Sequence, residues 1–263
     1  MDLKKILQAY PKVCVSISGG VDSNVLLHKL VAANTQCNCQ ITAVHINYNN
    51  RDTCNDEVKF VEGFCKQMGV SLRVRHITEI TRQRDAFRKE YEELTREIRF
   101  AEYAKENCPV LLGHNYDDTV ENIISNIASR KNHHNLRGMT DRCVEKGVTV
   151  LRPLLHMHKS DIYKYATING IPHLPDSTPK WCRRGKLRDH VIPALKEHEP
   201  NFVKGLLQIA ECLQQNAEHV RDNPGCVQLP SNFVNVKNAL YATTNKSIDD
   251  YVRRVTPLCG RSL

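Results

Sequence analysis

The feature that most limits what this chain can fold into is the regular exchange of two hydrophobic rhythms between Val13 and Leu154. Short apolar, β-branched runs of strand length recur as VCVSI at Val13–Ile17, ITAVHI at Ile41–Ile46, SLRVRHI at Ser71–Ile77, PVLLG at Pro109–Gly113 and VTVLRPL at Val148–Leu154. Stretches in helical period lie between them. One starts near Asp22 and carries Val25, Leu26, Lys29, Leu30 and Ala33; others cover Glu57–Met68, Thr81–Asn107 and Asp117–Ser129. Strands that are apolar along their length need cover on both faces, and crossover helices between parallel strands supply it. The expected fold is α/β: an open, mostly parallel five-stranded sheet with helices on both faces, followed by a helical C-terminal part. Past Leu155 the pattern turns helical, first over Ser160–Asn169, and Pro193, Pro200 and Pro224 punctuate the remainder. This gives a main domain over 1–200 and a short helical and irregular appendage over 201–263.

Open parallel sheets bind ligands beyond the carboxyl ends of their strands. Three polar segments sit there: Ser18–Ser23, His45–Arg51 and His114–Glu121. The first reads Ser18-Gly19-Gly20-Val21-Asp22-Ser23 and joins a strand to a helix. Its glycines let the backbone turn its N–H groups toward an anion, and the helix that follows presents its positive dipole end there. Ser18 and Ser23 add hydroxyls, and Asp22 can hold Mg²⁺ against phosphate oxygens. The bland alternative is an ordinary turn with Asp22 as a helix cap. A Walker A loop is excluded, because its spacing and its lysine are absent.

The formal net charge of +8 fits simple solubility or a polyanionic partner such as RNA. Position favours the latter: Lys180, Arg183, Arg184, Lys186 and Arg188 surround Trp181, and basic residues interleaved with an aromatic suit RNA contact. The 11 cysteines, with no CxxC pair and no signal peptide, point to reduced thiols and a cytoplasmic setting. Cys37 and Cys39 form a lone CxC that reads as a loop, and His133-His134 and His156/His158 read as surface residues rather than metal ligands. No apolar run is long enough to cross a bilayer.

SGGVDS after VCVSI resembles the signature of the PP-loop family of N-type ATP pyrophosphatases. Further segments resemble one branch, the tRNA(Ile)-lysidine synthetases, in its motif order. VHINYNNR at Val44–Arg51 is similar to V-H-x-N-H-x-L-R, with His45, Asn47 and Arg51 matching and Tyr48 in place of a histidine. Cys65 with Met68-Gly69 and the Arg96–Phe100 run are similar to the next two motifs. Gly113–Glu121 resembles G-H-H-x-D-D-Q-x-E, with Asn115 and Thr119 as departures. Arg152–Leu155 with Lys159 follows, then Asp176-Ser177 and Arg184–Arg188 with Gly185 in place of an asparagine. The resemblance spans Val13 to Pro200, and the large C-terminal tRNA-binding region of long members is absent or reduced.

The resemblance implies an ATP-binding catalytic domain over 1–200, with ATP and Mg²⁺ as cofactors. Ser18, Gly19, Gly20, Val21, Asp22, Ser23 and His45 would hold ATP, with Mg²⁺ at Asp22. A tRNA with a CAU anticodon and free L-lysine would be its partners, and a homodimer is compatible with it. The wobble cytidine would be adenylated on its C2 oxygen, and lysine would then displace AMP to form lysidine. Arg184 and Arg188 would stabilise the phosphoryl group or hold tRNA phosphates, aided by Lys186. Arg96 and Glu121 would grip the cytosine edge, and Asp118 and His114 would take the amine proton. One of Asp117 and Asp118 is expected to be a helix cap. Two other readings stay open: a tRNA thiolase, with Cys143 or Cys182 carrying sulfur, and a protein that binds RNA or nucleotide without catalysis.

Overall fold

The computed structural model describes residues 1–50, 53–80, 88–131, 136–176 and 183–222. Arg51, the start of the helix expected from Thr81, His133, His134, Ser177, Lys180, Trp181, Cys182 and the tail from Asn223 lie outside the described residues. The chain divides into two compact units, one of residues 1–121 and 139–186, the other of 122–138 and 187–263.

The first unit is built on a six-stranded sheet in the order β3-β2-β1-β4-β6-β5. Its strands are β1 (Lys12–Ser16), β2 (Gln40–Asn47), β3 (Ser71–His76), β4 (Val110–Leu111), β5 (Arg142–Glu145) and β6 (Val148–Leu151). The pairs β1–β2, β2–β3, β1–β4 and β4–β6 are parallel, and β5 lies antiparallel to β6 at the edge. The expectation of five strands therefore falls one short. β5 is joined to β6 by a two-residue turn in which Lys146 (φ 50°) and Gly147 (φ 78°) are both left-handed, the hairpin geometry that matches strand twist. Its residues alternate between exposed and half-buried, and Val144 lies open, so no apolar run marks it in the sequence.

The helices follow the strands as α1 (Leu3–Ala9), α2 (Val21–Asn34), α3 (Cys54–Gln67), α4 (Arg88–Ala104), α5 (Tyr116–Ala128), α6 (Lys159–Ile168) and the short α7 (Arg183–Lys186). Alternation along β1 shows both sheet faces covered. Val13 and Val15 pack with Leu26 and Leu30 of α2, Phe64 of α3 and Ile162 of α6, whereas Cys14 packs with Phe100 and Tyr103 of α4. Burial pushes the thiol of Cys14 up to about 12 and those of Cys65 and Cys108 to about 11; Cys14 and Cys65 behave as small core residues, and Cys108 packs half-buried against the core.

The second unit contains a π-helical turn (Leu187–Val191), α8 (Ile192–His198) and α9 (Phe202–Asp222). Pro193 sits in the first turn of α8, where a missing N–H costs nothing. Val203, Leu206 and Ala210 of α9 are buried in helical period. Among the described residues no helix is long and apolar enough to cross a membrane.

Candidate active site at the switch point of the sheet

The chain builds outward from β1 to β2 and β3, then returns to the other side of β1 with β4 and β6. The strand order reverses between β1 and β4, and a crevice opens there beyond their carboxyl ends. Ser18–Ser23 leaves β1 on one side, and Gly113–Glu121 leaves β4 on the other. The two run close together: a Cβ on Gly113 would stand 3.1 Å from the Asp22 carbonyl carbon and 3.1 Å from the Ser23 nitrogen.

Ser18–Ser23 is shaped by its own hydroxyls. The Ser23 Oγ donates to the Gly20 carbonyl at 3.0 Å and accepts from the Ser18 N–H at 3.2 Å. Gly19 is left-handed (φ 81°), and a Cβ there would stand 2.9 Å from Leu174 Cδ1. The Leu174 N–H donates to the Gly19 carbonyl at 2.9 Å, and Asn24, fully buried, donates to the Pro172 carbonyl at 2.9 Å. The loop is thus fixed from beneath by residues 172–174. The first N–H groups of α2 have no partner within the helix, which leaves them available to an anion. His45 is buried on β2 and donates through Nδ1 to the Ile17 carbonyl at 2.8 Å, bracing the backbone just before the loop. Burial holds its imidazole below the usual basicity, which favours the neutral ring.

Across the crevice, Asn115 joins the two halves. It forms a reciprocal cap at the start of α5: its N–H donates to Asp118 Oδ2 and the Asp118 N–H to its Oδ1, both at 3.0 Å. Its Nδ2 also donates to Asp22 Oδ1 at 3.0 Å. The other Asp22 oxygen accepts from Lys159 Nζ at 2.5 Å. Asp117 caps a different helix, accepting from the Lys159 N–H at 2.8 Å where His158 gives α6 no side-chain cap. Asp118 and Glu121, one turn apart on α5, share the guanidinium of Arg184, which pairs with Asp118 and donates from Nε to Glu121 at 2.5 Å. Burial pushes the Asp118 carboxyl above its ordinary range, while Arg184 pulls the other way.

His114 lies beside Arg152, which is itself buried; Arg152 Nε donates to His114 Nδ1 at 3.2 Å and Nη1 to the Thr140 carbonyl at 2.9 Å. Burial and the neighbouring guanidinium push the His114 imidazole down to about 3. The neutral, hydrogen-bonding form of the ring is favoured, with Nδ1 engaged by Arg152. Arg96 and Glu121, expected to grip a base together, are engaged separately: Arg96 pairs with Glu145 on β5, and Glu121 with Arg184. Arg99, one turn on from Arg96, keeps its Nε buried with no hydrogen-bond partner, and its guanidinium rests by Tyr48 and Tyr103. Lys186 is exposed on α7, and Arg188 lies in the π-helical turn of the second unit. Cys143 accepts from Arg152 at 3.3 Å.

Sequence reasoning treated Asn115 only as a departure and gave Lys159 and Arg152 no role. Their spacing from the loop along the chain hides them; only the register of β4 and β6 beside β1 brings them to Asp22 and His114. The donor set fits a magnesium ion that arrives with phosphates. Asp22 supplies one carboxylate, the phosphates would supply the rest, and no cluster of three or more His, Cys, Asp or Glu capable of holding a metal occurs among the described residues.

The model of the PP-loop domain matches residues 2–195. Among curated proteins, the chain is 29% identical to the tRNA(Ile)-lysidine synthase of Neisseria gonorrhoeae over 209 residues, covering 78% of this chain and 46% of that protein. It is 26% identical to the tRNA(Ile)-lysidine synthase of Nitrosomonas europaea, covering 96% of this chain and 53% of that one. The chain spans about half the length of these relatives. Among solved structures it is similar to the U34-tRNA thiolase NcsA from Methanococcus maripaludis with its 4Fe–4S cluster. The TM-score is 0.62 at 19% identity, covering 81% of this chain and 78% of that one, a likeness of fold. With its strand order, its SGGVDS loop and a match over most of its length, the chain belongs to the PP-loop family of ATP-using domains.

Proposed function

We propose that this chain is an ATP-dependent tRNA-modifying ligase that attaches lysine to the wobble cytidine of an isoleucine tRNA with a CAU anticodon. The observation that carries the reading is the continuous chain of contacts from the anion-binding loop to a carboxylate–arginine cluster: Lys159–Asp22–Asn115–Asp118–Arg184–Glu121. A loop for the α-phosphate and a polar cluster for a second reactant lie on one crevice, as a two-step adenylation and transfer needs. The similarity to tRNA(Ile)-lysidine synthases over 78% of the chain supports the choice of reactants.

In this reading the cytidine is turned out of its stack to reach the crevice. Its C2 oxygen attacks the α-phosphorus, and pyrophosphate leaves. The N–H groups opening α2, with Ser18, face the transferring phosphate, and Lys159 is the mobile cation that can exchange Asp22 for a phosphate oxygen. Magnesium at Asp22 supplies charge neutralisation at the phosphates. Glu121 accepts from the cytosine N4 amino group, and Arg96 is the guanidinium that reads the base, with the half-buried Arg99 one turn on. The lysine ε-amine then attacks C2, AMP leaves, and Asp118 takes the amine proton, for which its raised pKa suits it. Arg184, Lys186 and Arg188 serve the phosphoryl charge and tRNA phosphates. The catalytic domain covers 1–200, with 201–263 as an appendage, and the setting is the cytoplasm.

The test is ATP–pyrophosphate exchange with CAU-anticodon tRNA. Exchange that needs this tRNA and disappears in Asp22→Ala supports the reading. Nucleotide binding without exchange would reduce the chain to a binding protein.

A further inference from the structure

Asn115 carries more hydrogen-bonding chemistry than a helix cap requires. A cap needs one acceptor for an N–H of the first turn, and asparagine, aspartate and serine supply it about equally well. Asn115 meets that need with Oδ1, which accepts from the Asp118 N–H at 3.0 Å, while its own N–H donates to Asp118 Oδ2 at 3.0 Å. Its Nδ2 is surplus to the cap and donates to Asp22 Oδ1 at 3.0 Å. The residue is 2% exposed, and its amide has one workable orientation: reversed, it would turn its NH₂ to the Asp118 N–H and its oxygen to the Asp22 carboxylate.

The two partners of Asp22 among the described residues differ in kind. Oδ2 accepts from Lys159 Nζ at 2.5 Å, in an ion pair that is partly exposed on both sides. An ammonium on a flexible stem can leave, so Oδ2 is the oxygen an incoming cation can take over. Oδ1 is tied instead to a buried amide on a short side chain. The backbone that carries this amide is pressed against Asp22, since a Cβ on Gly113 would stand 3.1 Å from the Asp22 carbonyl carbon. The amide is neutral, so it orients the carboxylate without cancelling its charge, which an ammonium would do. Asn115 departs from the motif that Gly113–Glu121 resembles; a histidine there would titrate near neutrality, whereas an amide donates at every pH.

We propose that Asn115 is a positioning residue for Asp22: through Nδ2 it fixes one carboxylate oxygen and presents the other to magnesium and the ATP phosphates. The proposal rests on the ATP-using reading above. The role belongs to Nδ2 alone and is separable from the cap, which Oδ1 and the backbone N–H make.

The experiment titrates ATP calorimetrically, with and without Mg²⁺, into wild type, Asn115→Ser and Asn115→Ala, and follows the thermal unfolding of each. Serine keeps a cap acceptor, but its hydroxyl, one atom shorter, stops short of Asp22; alanine loses both contacts. A hydrogen bond to a charged group sustains roughly ten- to hundredfold in an equilibrium. The gain in ATP affinity that Mg²⁺ brings is expected to fall about tenfold or more, and equally, in both variants, with Mg²⁺-free affinity unchanged, although Asn115→Ala melts below Asn115→Ser. The full Mg²⁺ gain retained in Asn115→Ser overturns the positioning role and leaves the ligase reading standing. A loss larger in Asn115→Ala than in Asn115→Ser, or equal with and without Mg²⁺, also overturns it, by assigning Asn115 to the structure of the loop. A wild type that binds ATP with no gain from Mg²⁺ overturns the proposal alone. A wild type that binds no ATP overturns the ATP-using reading and the proposal with it.

Discussion

Replacing Gly19 by alanine tests how tightly the phosphate loop is built. The new methyl meets two costs. The backbone at φ 81° is left-handed, which costs an L-residue roughly 1–2 kcal/mol. The Cβ would also stand 2.9 Å from Leu174 Cδ1 and 3.2 Å from both Phe60 Cδ1 and Val61 Cγ2. The Leu174 backbone is held by its N–H bond to the Gly19 carbonyl while its side chain must turn aside, and overpacking of this kind costs about 1–3 kcal/mol. The sum is about 2–5 kcal/mol, a fall in melting midpoint of roughly 4–20 °C for a domain of this size. Gly69→Ala is the matched control: φ is 67° and nothing lies within 4 Å of its Cβ, so it bears the backbone cost alone. Urea denaturation of both variants separates the terms. Trimming the neighbour in Gly19→Ala/Leu174→Ala should recover part of the clash. A Gly19→Ala variant no less stable than Gly69→Ala would refute the close packing of the loop on residues 172–174.

Four further outcomes follow from the site. The His114 imidazole is pushed from 6.5 to about 3, so the unfolded chain binds the extra proton between those values; its contribution to stability is complete above pH 6.5 and is lost as pH falls toward 3. Between pH 7 and pH 5 that amounts to about 2 kcal/mol, and His114→Gln should lose this part of the slope in paired urea titrations. Lys159→Met should leave stability within about 1 kcal/mol, as the ion pair with Asp22 is partly exposed, yet slow pyrophosphate exchange by about 10²–10³. Arg184→Lys loses the fork that spans Asp118 and Glu121 and should lower kcat/KM about 10–100-fold, read in steady-state kinetics at saturating ATP. Asn115→Ala removes the cap of α5 and should cost about 1 kcal/mol in thermal unfolding.

The parallel strands and their helices were legible because each is a local pattern: VCVSI and ITAVHI announce buried strands, and SGG announces the turn that follows. β5 was not, because a half-exposed edge strand such as Arg142–Glu145 carries no apolar run, and its Lys146-Gly147 turn is a weaker signal than Asn-Gly. The loop could be read as an anion cradle from six consecutive residues. The roles of Asn115, Lys159 and Arg152 could not, since each depends on strands distant in sequence lying side by side. Asn115 in particular looked like a loss, whereas it caps α5 and holds Asp22 with one side chain. His114 shows a second limit: its basicity depends first on burial and then on a guanidinium 38 residues away along the chain, neither of which its local sequence displays.

The most direct test of the central claim is transfer of labelled lysine. The protein is incubated with ATP, Mg²⁺, radiolabelled L-lysine and a CAU-anticodon isoleucine tRNA, and label retained on the RNA is counted. The account predicts retained label that vanishes in Asp22→Ala and when the wobble cytidine is replaced by uridine. Label independent of the wobble base, or no label under conditions where exchange proceeds, would contradict it.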